Sequence, residues 1–378
     1  MTDPTCRGCG ALRTADDTVL DLGLVPAADD FPAPGDPLLD ALHPLAMWLC
    51  RACGLAQLVE DDTTGNEPLA VEPQALRDQA AEAVALVHDW EPVRALAHRG
   101  AVELSHPGDD SARNNPTVVE FGSPHGGSWL PLFRARGWTV AHGSPGDVVV
   151  DTFGLMHEPD QLTAIAARAE RLTDDGVLLL LFHSLATIVE QHQWSSLRHG
   201  HYAYYSATAL VPLLATVGLA PVAAWHFELY GGTVLLAASR HGGPEPSVVE
   251  LLLREAALGL TDAETLRSLQ RAADTESRAL ATALRSGPWY AYGAASRAVA
   301  VLHRAGARPD QLVAVADAAP GKQGRAMPGT RIPIISPETL LAADPERVWL
   351  LLPDLLREVT AALPELAGRW QTSIEETP

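Results

Sequence analysis

The sequence predicts an α/β protein built as a zinc-binding lobe followed by two α/β lobes, and three observations lead there. Two C-x-x-C-G knuckles, CRGCG at 6–10 and CRACG at 50–54, frame the N-terminal segment. From residue 116 to 240 short apolar runs alternate with stretches of helical periodicity, and a second alternation of the same kind occupies 288–366. A chain of 378 residues also exceeds what one ordinary core encloses. The expected divisions are a zinc lobe at 1–65, a helical lead-in and first α/β domain at 66–240, connecting helices at 241–287 and a Rossmann-like domain at 288–378.

The stretch between the knuckles is rich in Pro and Asp and shows little helical or strand periodicity, so it cannot bury enough apolar surface to fold alone. Tetrahedral ligation of zinc by the thiolates of Cys6, Cys9, Cys50 and Cys53 supplies the missing free energy. Each pair runs into a glycine, Gly10 or Gly54, as zinc knuckles do, whereas a redox C-x-x-C pair sits where a strand enters a helix. Four thiolates leave no open coordination position, so the metal is expected to be structural.

Residues 73–102 read as amphipathic helix, with Leu76, Ala80, Ala83, Val84, Val87, Trp90 and Val93 near helical spacing and directed at the core. PTVVEFG is a buried strand running into a turn and SWLPLFRARG a short helix. Strands follow at DVVVDTF (147–153) and GVLLLLFHS (176–184), separated by the helix DQLTAIAARAERL and followed by a helix at 207–218; FELYGG and TVLLAASR read as closing strands. Helices with alternating charge fill 246–286, and WYAYGAAS, QLVAVADAAP and RVWLLLPD supply the strands of the last domain.

A net charge of −20 repels phosphate backbones and anionic lipid, so neither nucleic acid nor a membrane surface is an expected partner. No apolar run approaches the ~20 residues of a membrane span. The N-terminus lacks a basic stretch leading into an apolar core, which points to the cytoplasm. An anionic ligand therefore needs local positive charge. Lys322 is the one lysine among many arginines.

Several segments carry candidate chemistry. The turn EFGSPHGG at 120–127 follows a strand and precedes a helix, where backbone amides favour negative charge. An acid that would hold a ribose at the end of the next strand is absent, because GWTVAHG passes through SPGD straight into DVVVDTF. His157 and His183 follow strands whose C-terminal ends face one crevice, and a histidine poised near neutral pH suits proton transfer beside a carbonyl. WSSLRHGHYAYYS (194–206) places Arg198, His201 and three tyrosines in one loop, fit either to hold a base, sugar and phosphate or to pack two domains together. AYGAAS at 291–296 with Asp317 is short of the G-x-G-x-x-G fingerprint, so a dinucleotide is not expected there. PGKQGRAMPG (320–329) holds Lys322 and Arg325, suited to a phosphate or a domain interface.

Taken together the segments CRGCG, LDLGLVPAADDF, HPLAMWLCRACGLAQL, VVEFGSPHGG, HGHYAYYS, YGGTVLLAA, AYGAAS and, most specifically, DAAPGKQGRAMPGTRIPI resemble the zinc-containing sugar C-methyltransferase family nearly end to end. That resemblance implies a central class I methyltransferase-like domain and a nucleotide-linked keto-deoxysugar bound between lobes, with S-adenosylmethionine as methyl donor in antibiotic biosynthesis. By the same likeness His201 falls on the proposed general base and His157 on a second active-site histidine. Glu120, Gly122 and Gly126 are then the candidates for the cofactor, and Arg198, Tyr202, Tyr230, Lys322 and Arg325 for the substrate.

The chain departs from the family in places. LAVEPQALRD stands where the family has a tyrosine-rich segment, Arg198-His199-Gly200-His201 where it has Y-H-E-H, and Tyr230-Gly231-Gly232 where it has HGGSLR. About forty residues after the second strand are missing. These departures keep two further readings open: enolate chemistry on a keto compound without a methyl donor (epimerisation, isomerisation, elimination or ring closure), and a non-catalytic partner protein. Oligomeric state is not legible.

Overall fold

The computed structural model describes residues 5–33, 36, 40–63, 72–102, 115–122 and 127–372. In the N-terminal lobe β1 (Thr18–Pro26) pairs antiparallel with β2 (Leu42–Leu49), and β2 with β3 (Ala56–Leu58). These strands correct the expectation of a stretch without strand character. Register shifts between Thr18 and Leu20 and between Asp21 and Leu24 mark bulges in β1, and an extra residue on one strand breaks the two-residue alternation by which a strand is read. Asp17, buried just ahead of β1, accepts from the Thr14 amide at 2.7 Å and from Arg51 Nε at 2.6 Å, tying β1 to the second knuckle.

The lead-in forms α1 (Gln74–Asp89) and α2 (Glu91–Val102), broken at Trp90, whose indole donates to Glu245 at 2.7 Å. Ala80, Ala83, Val84 and Val87 form the buried stripe that helical spacing predicts, and with Val93 they cover one face of the central sheet.

That sheet is built from β4 (Thr117–Phe121), α3 (Leu130–Arg134), β5 (Thr139–Val140), β6 (Gly146–Thr152), α4 (Gln161–Glu170), β7 (Leu172–His183), α5 (Leu185–Glu190), β8 (Ala203–Tyr204), α6 (Ala207–Ala215), β9 (Ala220–Phe227) and β10 (Thr233–Ser239). Its strand order is β5-β4-β6-β7-β10-β9, with β10 antiparallel to both its neighbours and the other pairs parallel. This is a methyltransferase-like α/β sheet that ends early: β5 has two residues and, among the described residues, no strand lies outside it. FELYGG, expected as a strand, is a 3-10 turn at Leu229–Gly231 joining β9 to β10. Its backbone turns left-handed at Tyr230 (φ 58°) and Gly231 (φ 78°), which an extended chain cannot do.

β8 does not join the central sheet. It pairs antiparallel with β3, Ala56 opposite Tyr204 and Gln57 opposite Ala203, and so completes the zinc lobe's sheet from the middle of the central domain. Cys6, Trp48, Cys50 and Leu55 likewise sit in the core that α4 and α6 share with one face of the central sheet.

The connecting segment forms α7 (Pro246–Leu258), α8 (Ala263–Leu266) and α9 (Ser268–Ala283). The C-terminal lobe contains β11 (Trp289–Tyr292), α10 (Ser296–Arg304), β12 (Leu312–Ala316), β13 (Ile334–Ile335), α11 (Pro337–Ala343), β14 (Val348–Leu350), α12 (Leu356–Ala362) and β15 (Trp370–Gln371). Its sheet runs β13-β12-β11-β14-β15, parallel throughout, as a Rossmann-like lobe requires. No helix among the described residues is long and apolar enough to cross a membrane.

One buried ion pair sets the geometry where the central sheet meets its crevice. Asp151, at the end of β6, takes Arg168 Nε at 2.6 Å on one oxygen and the amides of Gly154 (2.7 Å) and Leu155 (3.0 Å) on the other. Burial pushes the carboxyl up while Arg168 and the amides oppose it. The pair therefore shapes the turn that carries His157. Arg168→Ala, which strands the carboxylate, is expected to cost about 3–5 kcal/mol in urea unfolding; a variant as stable as the parent would show that water satisfies Asp151.

Candidate functional site

The four cysteines meet as the spacing predicts. Their sulfurs lie within 4.8 Å of one another, Cys6 to Cys53 at 3.6 Å and Cys9 to Cys50 at 3.5 Å. A tetrahedron of thiolates with Zn–S near 2.3 Å has edges of about 3.8 Å, so the donors fit zinc in kind, number and spacing. The two knuckles fold alike: Gly10 N donates to Cys6 O and Gly54 N to Cys50 O, both at 2.8 Å, with φ of 73° and 74°. The Cys6 sulfur meets that of Cys53 and accepts from Gln57 Nε2 at 3.1 Å and from Gly8 N at 3.4 Å, contacts that draw its thiol down against burial. Such bonds favour the thiolate that a metal needs.

Gln57 is also where the metal lobe reaches the chemistry. Fully buried on β3, it bonds Cys6 with its amide, accepts from Arg7 N at 2.9 Å, and pairs its backbone with β8. The loop before β8 is pinned to the same lobe throughout. Gly200 N donates to Asp61 at 2.6 Å, a His199 ring nitrogen lies 3.2 Å from Pro44 O, and Leu58 N donates to Tyr202 O at 3.2 Å. His157 Nδ1 donates to Gly200 O at 2.8 Å, since a carbonyl only accepts.

A cavity of 390 Å³ opens between the central domain, with its lead-in helix, and the C-terminal lobe. The central domain contributes Thr152, Phe153, Met156, His183 and Tyr230; the loop contributes Arg198, His201, Tyr204 and Tyr205. The C-terminal lobe contributes Tyr292, Gly293, Ser296, Arg297, Asp317 and Lys322. Among the predicted residues, His201, Arg198, Tyr230 and Lys322 are on its wall. His157 stands behind His201, their rings edge to face at 4.6 Å, with its Nε2 buried. Tyr202 turns away to lie under the Arg7 guanidinium, 5.2 Å from it, while Tyr204 and Tyr205 take the wall. Arg325 is not on the wall; it donates to Gly321 O at 2.9 Å and Phe31 O at 2.8 Å, clamping the C-terminal lobe to the zinc lobe.

The cations on the wall differ in their engagements. Lys322 Nζ donates to Ala294 O at 3.0 Å and stands 4.7 Å over the Phe31 ring. Arg198 donates through Nε to His201 Nε2 at 2.8 Å and through an NH1 group to Ser296 and, at 3.5 Å, Asp29. Arg297, which sequence reading overlooked, lies 5.2 Å over the Tyr230 ring, and among the described residues no carboxylate pairs with it. Burial lowers its pKa, and Arg198 nearby lowers it further. Its only signal in the sequence is position, one residue beyond the AYGAAS turn. Asp317 ties its own turn to the one after β11, accepting from Ala319 N at 2.8 Å and Ala294 N at 2.7 Å.

At the cofactor turn, Glu120 accepts from Trp129 N and Ser128 Oγ, both at 2.6 Å, and so organises the start of α3. Among the described residues nothing lies within 4 Å of a side chain placed at Gly122, and Gly126 lies outside them. β5 ends in Ala141 and His142 with no acid, and Asp147 is bonded to Thr117 N at 2.8 Å and Oγ1 at 2.7 Å. Among the described residues, then, no carboxylate stands at the end of β5 to hold a ribose.

Two family models match the chain: "C-methyltransferase C-terminal domain" over residues 228–374 and "Putative zinc binding domain" over 6–63. The chain is 24% identical to the C-methyltransferase NovU of Streptomyces niveus across 98% of this chain and 95% of that one. The alignment spans 426 positions against 378 residues here, so the relative has segments this chain lacks. Among solved structures, magnesium protoporphyrin IX methyltransferase of Synechocystis PCC 6803 is 11% identical with a TM-score of 0.26, covering 44% of this chain and 86% of that one. The Burkholderia thailandensis 1,6-didemethyltoxoflavin N1-methyltransferase is 15% identical with a TM-score of 0.24, covering 55% and 98%. At such TM-scores neither superposition carries an argument about this chain.

Two outcomes follow from the site's construction. Stripping zinc with a chelator is expected to raise hydrogen exchange at Tyr202–Tyr204 together with 50–58; unchanged protection of β8 would show that the loop holds itself. His183, whose imidazole burial lowers to about 4, stays neutral in the fold, whereas the unfolded chain takes up a proton near 6.5. Its contribution is complete above 6.5 and is lost as pH falls toward 4. The melting temperature of His183→Gln is expected to decline less than the parent's across that window, and parallel declines would count against it.

Proposed function

Because the chain is a divergent member of the zinc-containing C-methyltransferase family, we propose that it methylates a carbon next to the carbonyl of an anionic keto compound. A nucleotide-linked keto-deoxysugar of an antibiotic pathway is the substrate class, and S-adenosylmethionine the donor. The observation that carries this reading is the cavity between the lobes, where a histidine faces three cations in a protein of net charge −20. Arg297, Arg198 and Lys322 offer a diphosphate the positive charge that the rest of the surface denies it. Tyr230 and Tyr292 present rings and hydroxyls to a base or sugar.

S-adenosylmethionine, when bound, supplies an electrophilic methyl group. Ser128, Trp129, Thr152, Phe153 and Met156, which line the cavity, are the residues that would hold it, with Gly122 at the end of β4 beside them in the chain. Among the described residues no carboxylate stands at the end of β5 to hold its ribose. His201 is placed to take the proton alpha to the carbonyl, and the resulting enolate is the carbon nucleophile. His157 orients the His201 ring from behind, while the apolar wall of Phe153, Met156 and Phe182 keeps water from the enolate.

The short β5 edge favours a second reading, in which the same enolate chemistry proceeds without a methyl donor and ends in epimerisation, isomerisation, elimination or ring closure. Calorimetry with S-adenosylmethionine and S-adenosylhomocysteine separates the two. Micromolar binding followed by methyl transfer to a nucleotide-linked keto-sugar is expected, and Arg297→Met should then raise KM about 10–100-fold with kcat little changed. Absence of heat with both ligands, in zinc-loaded folded protein, removes methyl transfer and leaves the second reading.

A further inference from the structure

We infer that Arg198 caps the basic nitrogen of His201 in the substrate-free enzyme and that an anionic group of the substrate draws it off. The inference deepens the functional reading above and rests on it, because it concerns the base of that reaction.

A guanidinium carries donors and no acceptor, so the 2.8 Å contact from Arg198 Nε requires a lone pair on His201 Nε2. In neutral His201 the proton is then on Nδ1, and the single basic lone pair of the ring is already occupied. Nε2 cannot receive a proton from carbon while that bond stands. The histidine is thus present but closed.

The cap is positioned to be movable by ligand. Arg198 lies on the cavity wall in the company of Arg297 and Lys322, where it also donates to the Ser296 hydroxyl and approaches Asp29 at 3.5 Å. An oxyanion between Arg198 and Arg297 offers paired charge-assisted bonds in place of one bond to a neutral ring. Once the guanidinium turns to it, Nε2 accepts the alpha proton, the C–H electron pair enters the enolate, and the imidazolium later returns the proton to water. An uncharged keto compound leaves the cap in place, so the device selects for charged substrate.

Other groups bear on the same nitrogen. His157 packs against the ring at 4.6 Å from its own turn, and Tyr204 of β8 stands at 6.2 Å. Asp29 and Asp61 approach from the zinc lobe, through Arg198 and Gly200 respectively, and Arg297, Tyr230, Lys322 and Asp317 face it across the cavity. Arg198 donates to Nε2 directly, at 2.8 Å.

The test is 15N NMR of histidine-labelled, zinc-loaded full-length protein, with His201 assigned through His201→Gln and inorganic pyrophosphate as the anion. The proton is expected on Nδ1 in the free protein. Pyrophosphate should move the midpoint of His201 protonation upward by on the order of one pH unit, since a bond donated to the neutral form holds protonation back. Arg198→Met should produce the same shift without pyrophosphate and show no further response. If that variant fails to fold, the titration of the parent protein decides alone. A proton on Nε2, a midpoint unmoved by bound pyrophosphate, or failure of pyrophosphate to bind up to tens of millimolar would each overturn the inference. Because the spectra need no turnover, a capped His201 that responds to pyrophosphate in a protein without methyl-transfer activity would sink the functional reading and not the cap.

Discussion

The pairing of Ala56–Gln57 with Ala203–Tyr204 is the joint on which the rest of the arrangement depends. It is a two-residue strand addition, too short to hold by itself, and it persists because β3 is anchored at its other side by the metal knuckles. Gln57 carries the connection in both directions, bonding the Cys6 sulfur and pairing with β8. The loop that ends in His201 thus takes its shape from a lobe more than a hundred residues earlier in the chain. A zinc site that does no chemistry is therefore coupled to the chemistry through backbone hydrogen bonds, which tolerate little displacement.

A second constraint is electrostatic. The protein carries a large negative charge, yet Arg198, Arg297 and Lys322 converge on one cavity with most local carboxylates spent elsewhere. Asp317 and Glu120 cap their own turns, and Asp151 is matched by Arg168. The positive charge of Arg198, Arg297 and Lys322 is placed where water is scarce, which raises its effect on whatever enters the cavity. Arg198 does more than add charge. Its guanidinium joins Asp29 of the zinc lobe, Ser296 of the C-terminal lobe and His201 of the central loop, so the three lobes meet at one planar group.

Much of the fold is legible along the chain where local pattern and final structure share a cause. The runs VVEF, DVVVDT and GVLLLLFH are continuous and apolar because their strands are buried on both faces, and the stripe from Ala80 to Val87 is helical because it covers the sheet. Reading failed where the cause was not local. β1 is hidden by its bulges, FELYGG is a turn because Tyr230 and Gly231 adopt left-handed backbone, and β8 is a strand only because β3 is there to pair with it.

The site divides in the same way. By itself the sequence determined the zinc ligands, since each C-x-x-C-G knuckle closes over a few residues with its own glycine, and it marked the loop of Arg198 and His201 as chemical. Only the tertiary structure decided that His183 and His201 line the cavity and His157 does not, that Tyr204 and Tyr205 replace Tyr202 on its wall, that Arg297 belongs to the site and that Arg325 does not. The reason is distance along the chain: Arg198 meets Asp29 across 169 residues and Ser296 across 98, and no periodicity or spacing records contacts that form only when three lobes close on one another.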